Sequence, residues 1–182
     1  MARTRAGLVL FPLALAAIAA ALAPVVRAAP AEGPAQPIRF SHRIHAGEAK
    51  IGCTSCHVYA ERGPVAGIPS MARCQGCHKF VKEDPEKPEI TAELKQLLPL
   101  LREERAIEWV RVHRVPDHVY FTHVRHVRAG VRCQECHGEV EKMDVVSQVA
   151  PLTMGWCLDC HHRKQREAAG RERLTECVTC HK

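Results

Sequence analysis

The chain has 182 residues, with 26 Lys and Arg against 20 Asp and Glu and a formal charge of +6. Three of the basic residues, Arg3, Arg5 and Arg27, belong to an N-terminal apolar segment. Setting them aside leaves 23 basic against 20 acidic side chains, and with no basic run interleaved with aromatics this excludes a nucleic-acid partner.

The opening "MARTRAGLVLFPLALAAIAAALAPVVRAAP" carries no charge from Ala6 to Val26, the pattern of an export signal. Val26 and Ala28 offer small residues where a signal peptidase reads, so cleavage after Ala28 is one outcome. The uncharged run of 21 residues exceeds the about 7–15 of a cleaved signal and reaches the about 20 of a membrane-spanning helix. Pro12 and Pro24 weaken a continuous helix, although membrane helices tolerate proline. Residues 1–29 are therefore expected to be a signal peptide or a membrane anchor. The anchor is favoured, with Arg3 and Arg5 in the cytoplasm and the rest of the chain outside. Residues 30–39, with "AEGPAQP", read as a proline-containing tether.

The next stretch, "FSHRIHAGEAKIGCTSCH" from 40 to 57, ends in Cys53, Cys56 and His57. Two thiols separated by two residues can each add to a vinyl group on adjacent pyrroles of a haem. The histidine that follows is then carried under the porphyrin to bind iron. Four more such pentapeptides occur: Cys74/Cys77/His78, Cys133/Cys136/His137, Cys157/Cys160/His161 and Cys177/Cys180/His181. Together the five use all ten cysteines. Zinc ribbons pair such knuckles two by two, which leaves one unmatched and the histidines unexplained. A disulfide framework suits an exported protein but ignores the histidines as well.

Five covalently attached haem c groups are thus expected, with His57, His78, His137, His161 and His181 as proximal ligands. About 30 residues per haem, with only two Trp, two Tyr and four Phe, cannot bury an ordinary core. The haems are expected to form it, and the chain to stay largely unfolded without them. Their propionates, partly offset by ferric iron, would shift the loaded domain to about −2.

The chain also repeats itself. "FTHVRHVRAGVRCQECH", 121 to 137, matches 40 to 57, with Phe-x-His-x-x-His leading a haem motif in both. From Phe to the first Cys is 13 residues in one copy and 12 in the other. A second motif follows each copy, introduced by "PSMARCQGCH" and "PLTMGWCLDCH", with Met71 and Met154 each three residues before a cysteine. Between the copies, Leu94, Leu97, Leu98 and Leu101 mark one helical face, with Thr91 as N-cap and Pro99 as a kink or end. Trp109 to His113 alternates as an extended stretch does, and "HHRKQREAAGRERL", 161 to 174, reads as a helix. The fold class is mostly α and irregular with little or no sheet. The cytochrome domain spans 40–182: a dihaem module at 40–80, a helical linker at 81–118 and a trihaem module at 119–182.

Haem iron has a second axial position. His42, His45, His123 and His126 are the expected distal ligands. Two histidines three residues apart cannot reach the same face of one iron, so each pair should serve two haems. For the fifth iron the candidates are His113, His162, His118 and Met154. His113 is favoured because Trp109, Arg111 and His113 share one side of an extended strand, where indole could cover a porphyrin and guanidinium could pair with a propionate. His162 adjoins His161 and could bridge, whereas His118 reads as a surface side chain. Met71 and Met154 suit packing on a porphyrin better than ligation, and Met143 is weaker still. Iron filled on both sides by histidine can change oxidation state but cannot bind substrate, so electron transfer is the default. A haem reductase would need an open iron, often signalled by lysine replacing the attached histidine, and all five motifs here end in histidine.

The strings "FSHRIHAG", "GIPSMARCQGCH", "WVRVHRVPDHVYFTHVRHVRAG" and "VSQVAPLTMGWCLDCH" resemble the class III cytochromes c. Within them the chain is similar to the pentahaem subunit of alternative complex III, and less closely to the related subunit of menaquinone reductase complexes, over residues 38 to about 161. The resemblance implies an electron wire rather than an enzyme in its own right. Its partners would be membrane quinol-oxidising subunits with an iron–sulfur subunit alongside, and a periplasmic cytochrome c or an oxidase. It also implies an N-terminal membrane helix and a place on the periplasmic side of the bacterial inner membrane. A free-standing membrane-anchored quinol dehydrogenase is the alternative.

Overall fold

The computed structural model describes residues 33–81, 83–167 and 172–182. The export segment and the first residues of the tether lie outside the described residues. Among the described residues there is no strand, and no helix is long and apolar enough to cross a membrane.

The helices are α1 (Cys53–Cys56), α2 (Met71–His78), α3 (Pro88–Arg102), α4 (His123–Arg128), α5 (Gln134–His137), α6 (Met154–Glu167) and α7 (Cys177–Cys180). Five of the seven carry the Cys-x-x-Cys pairs, Cys133 standing at the N-cap of α5. Residues three apart share a helix face, so one helical turn aims both thiols to the same side. The short helices thus lie at the motifs themselves. Helix α6 likewise starts at Met154 and covers its motif, earlier than the expected 161–174, of which 168–171 lie outside the described residues.

Helix α3 is the longest regular piece between the two copies. It starts at Pro88, whose missing N–H costs nothing in a first turn. Thr91 is therefore not the N-cap. It stands one turn inside, where its hydroxyl donates to the Asp84 carbonyl (2.7 Å) and accepts from the Asp84 amide (2.9 Å). Leu94 and Leu101 are buried. Pro99 does not end the helix, which runs on to Arg102. The carbonyl it leaves without a helical donor belongs to exposed Lys95, where water can substitute. Beyond α3 the chain has no regular structure to Tyr120, and Val110 is clipped on both its amide (2.9 Å) and its carbonyl (3.0 Å) by the Gln36 side chain.

The two Phe-x-His-x-x-His strings are held by each other's halves. Arg43 and Val124 occupy the same place in the two strings. The Arg43 amide donates to the Met143 carbonyl (3.0 Å), six residues after His137. The Val124 amide donates to the Gly63 carbonyl (3.1 Å), six residues after His57. Each string therefore docks on the loop behind the other copy's first haem motif, at the same register. The one-residue difference in length is absorbed locally: residues Arg43–Glu48 form a π-helical turn, whereas the shorter copy forms the α-helical turn α4. A single inserted residue is the usual origin of such a turn. Gly47 in this turn lies against the 3-10 turn Val140–Lys142, where any Cβ would run into the Glu141 carbonyl.

Side chains add to the first of these docks. Buried Ser41 donates to Asp144 at 2.6 Å, and the Arg43 guanidinium reaches the same carboxylate at 3.1 Å. Arg43, and next Ser41, hold the Asp144 carboxyl below its ordinary 3.8. Its contribution is therefore complete above that value and is lost as pH falls through the lower folded one. Asp144→Ala is expected to cost about 1–2 kcal/mol in chemical denaturation of the haem-loaded protein at pH 7. Against wild type, that deficit should shrink as the pH falls below the ordinary carboxylate range.

Candidate functional site

The attached histidines are each met by a second imidazole. His42 faces His57 with ring centres 6.5 Å apart and planes 5° apart. His45 faces His78 at 6.1 Å, His123 faces His137 at 6.2 Å and 6°, and His126 faces His161 at 6.0 Å. A metal–nitrogen bond of about 2 Å on each side of an iron, plus roughly 1 Å from nitrogen to ring centre, calls for about 6 Å between centres. The four pairs fit that spacing, and each string divides its two histidines between two motifs.

Ring orientation agrees. Nδ1 of His45, His57, His123, His126 and His161 donates to the carbonyls of Ser41, Gly67, Pro64, Thr122 and Leu174 at 2.6–2.9 Å. A proton fixed on Nδ1 leaves the Nε2 lone pair for a metal. The local structure makes these bonds possible: Gly67 takes φ +76° to present its carbonyl to His57, a conformation and a space, against the Tyr59 ring, that no side chain would share. Phe40 and Phe121 play the same part in both copies. Phe40 is edge-on to His42 (4.8 Å) and stacked on His45 (4.3 Å), and Phe121 is edge-on to His123 (4.8 Å) and stacked on His126 (4.6 Å). Nδ1 of His42 and of His78 is buried without a protein partner.

Electrostatics keep the central rings neutral, as a metal ligand must be. Burial first, then His57 and His45, lowers His42 to about 4. Burial, then His113, His123 and His57, lowers His137 to about 4. Burial also lowers His78 and His113. Among the described residues no three His, Cys, Asp or Glu converge as a zinc site requires, and none of the ten cysteines is joined to another.

The fifth pair differs from the sequence reading. His113 stands opposite no attached histidine. Its ring is 4.4 Å from His137 and perpendicular to it, on the Nδ1 side, while His123 occupies the far side. An irregular stretch from Trp109 to Tyr120 carries two histidines, and its course decides which of them reaches which motif. The course brings His118 to His181, with ring centres 5.4 Å apart, closer than in the other four pairs. The His118 carbonyl accepts from His181 Nδ1 (3.1 Å), and the Tyr120 amide donates to the Cys180 carbonyl (2.8 Å). His118 is exposed, as the surface side chain expected from the sequence would be, but it is not unpartnered. Its place five residues from His113 and three before Phe121 is the only local signal. His162 is exposed on α6 and Met154 is exposed at its start.

The ten thiols differ in exposure on the polypeptide. Cys53, Cys77, Cys133 and Cys177 are exposed, and Cys56, Cys74, Cys136, Cys157, Cys160 and Cys180 are half-buried. In the first, third and fifth motifs the exposed member is the first cysteine; in the second motif it is the last, Cys77. The reason lies in α2. Cys74 turns back along the helix to the Ser70 carbonyl (3.7 Å) and lies beside Cys56, which leaves Cys77, a turn further on, at the outer end of the helix. So short an element, with no packed layer over it, cannot enclose both members of a pair.

The motifs adjoin in a definite order. Burial and then Cys56 raise the Cys74 thiol, and burial and then Cys53 raise Cys133. Burial and then Cys160 raise Cys136, and burial and then Cys180 raise Cys157. The spatial sequence is therefore second, first, third, fourth and fifth motif.

Helical turns bearing Cys-x-x-Cys-His, with a second imidazole across from the one in the motif, define a multihaem c-type cytochrome. Residues 119–182 match the family described as cytochrome c7 and related cytochrome c. The chain is 31% identical over 170 residues, 81% of its own length and 77% of the relative's, to the multiheme cytochrome c subunit of menaquinone reductase from Nitratidesulfovibrio vulgaris Hildenborough. It belongs to this family of multihaem cytochromes c, whose work is electron transfer through covalently bound haem. Replacing His118 by Ala is expected to turn one haem high-spin in the purified protein, as replacing His126 should, whereas His162→Ala should leave the electron paramagnetic resonance spectrum unchanged.

Proposed function

We propose that this chain is the pentahaem electron-carrying subunit of a membrane quinol-oxidising complex of the alternative complex III type. The observation that carries the reading is that every one of the five attached histidines faces a second histidine. Haem c supplies reversible one-electron chemistry at iron; the protein's part is to fill both axial positions, which leaves no site for substrate on the metal. The ten cysteines attach the groups, exposed Cys77 among them, and His57, His78, His137, His161 and His181 bind from one side. His42, His45, His123 and His126 bind from the other, with His118 taking the fifth place in preference to His113.

Two dihaem modules, 40–80 and the first part of 119–182, abut through their first motifs, and the C-terminal motif extends the second. The order of the motifs makes Cys74–His78 and Cys177–His181 the two ends of the array, so electrons are received at one and given up at the other. The similarity to a menaquinone reductase subunit supports quinone-linked membrane partners; an iron–sulfur subunit beside them and a periplasmic cytochrome c or an oxidase as acceptor complete the reading. Residues 1–29 hold the chain at the periplasmic face of the inner membrane, as an anchor in preference to a cleaved signal.

Two measurements test this. Intact mass after denaturation should show five haem additions per chain, and four or fewer in fully matured protein would defeat the pentahaem reading. The purified chain alone should not oxidise menaquinol analogues and should become reducible by them once its membrane partners are restored. Rapid oxidation by the isolated chain would instead make it a free-standing quinol dehydrogenase.

A further inference from the structure

Six of the ten paired imidazoles send Nδ1 to a backbone carbonyl, and two leave it without a protein partner. One meets a side chain: Nδ1 of His137 lies 3.3 Å from Nε2 of His113. We propose that His113 is a positioning residue for His137, accepting the Nδ1 proton of this attached histidine and so setting its rotation and donor strength. The proposal rests on the reading of His137 and His123 as the two axial partners of one iron.

The geometry supports this over the alternatives. A ring 4.4 Å away and at 81° presents an edge nitrogen to the Nδ1 edge; it cannot share a metal with His137, because the facing position 6.2 Å away is taken by His123. When His137 gives Nε2 to a metal its remaining proton is on Nδ1, so His113 Nε2 is the acceptor and the His113 proton is on its own Nδ1. Both rings are half-buried, which shields the contact from water and strengthens it. A backbone carbonyl is a fixed acceptor that no substitution can change. An imidazole acceptor makes the strength of the ligand a property of one side chain, and hydrogen bonding to the far nitrogen of a ligating histidine raises its basicity.

The placement gives the contact its consequence. His137 belongs to the middle motif, with Cys133 beside Cys53 of the first motif and Cys136 beside Cys160 of the fourth. Every transfer between the two ends passes this junction. A more basic axial ligand favours ferric over ferrous iron, so the His113 contact lowers the potential at the centre of the array.

The test uses the full haem-loaded chain. His113→Phe should keep five low-spin haems and move one component of a spectroelectrochemical titration to higher potential, and His113→Gln, whose amide oxygen can accept, should bring it back towards wild type. A titration unchanged in both variants would overturn the proposal, as would a new high-spin signal, which would make His113 a ligand. Should the Phe variant fail to mature, the reduced, diamagnetic wild type labelled with 15N-histidine decides: coupling between an axial Nδ1–H and a non-ligand imidazole nitrogen supports the contact, and its absence overturns it. A wild-type protein lacking five low-spin haems would defeat the underlying ligand assignment, a failure distinct from these.

Discussion

An iron between two imidazoles requires rings about 6 Å apart, each with its far nitrogen engaged elsewhere. That double requirement, imposed at several places in so short a chain, governs the rest of the structure. Most of the carbonyls that fix the rings, those of Gly67, Pro64 and His118 among them, lie in segments without regular structure, and that of Leu174 lies in the 3-10 turn Glu172–Thr175. Such loops are specified as tightly as helices here, because moving one by a fraction of an ångström rotates a ligand. The irregular character of the chain is a consequence of where its acceptors must be.

The exchange of hydrogen bonds between the halves follows from the same need. A Phe-x-His-x-x-His string can aim two imidazoles in two directions only if its backbone is held from outside, since one short turn has little stability of its own. Docking each string on the loop behind the other copy's first motif supplies that support. It also brings the first and third motifs together. The chain must then travel from the second motif, at one end, back to the centre before the second copy can start. Helix α3, about 22 Å long at 1.5 Å per residue, and the irregular stretch after it cover that return, and on the way the stretch delivers His113 and His118 to different motifs.

What the sequence makes legible is what is local or repeated. The five pentapeptides are self-contained, and the two histidine strings are recognisable because they recur in register, so the geometry of eight of the ten facing rings follows from spacing. The fifth facing ring has no repeat to announce it. The alternation of a strand-like segment favours His113 and leaves His118 on the surface, and the clip of Val110 by Gln36 and the bond of Tyr120 to Cys180 set the course that brings His118 to His181 instead. Both are contacts across more than fifty residues. Burial of the thiols is equally illegible, because spacing makes Cys74 and Cys77 equivalent and only the neighbouring Cys56 distinguishes them. Thr91 illustrates the same limit on a smaller scale: its composition suits an N-cap, but Pro88 three residues earlier is already suited to the first turn, and the hydroxyl turns to Asp84 instead.

The shortage of an ordinary core is the remaining consequence. Among the described residues the buried apolar side chains are Ile38, Ala60, Leu94, Leu101 and Ala150, and no side chain is completely enclosed. Large apolar residues stay outward instead, and several adjoin the motifs: Tyr59 follows His57, Phe80 follows His78, Met154 precedes Cys157 and Val178 lies between the last two cysteines. Burial of apolar surface contributes about 25 cal/mol per Å², and these residues obtain little of it from the protein. Beside the motifs they are available to the broad apolar faces that covalently bound haems would present, which is the reason to expect attachment and folding to be coupled, as in small metal domains. Phe40 and Phe121 fit the same pattern, for their rings pack on the two histidines of their own strings instead of on an apolar layer.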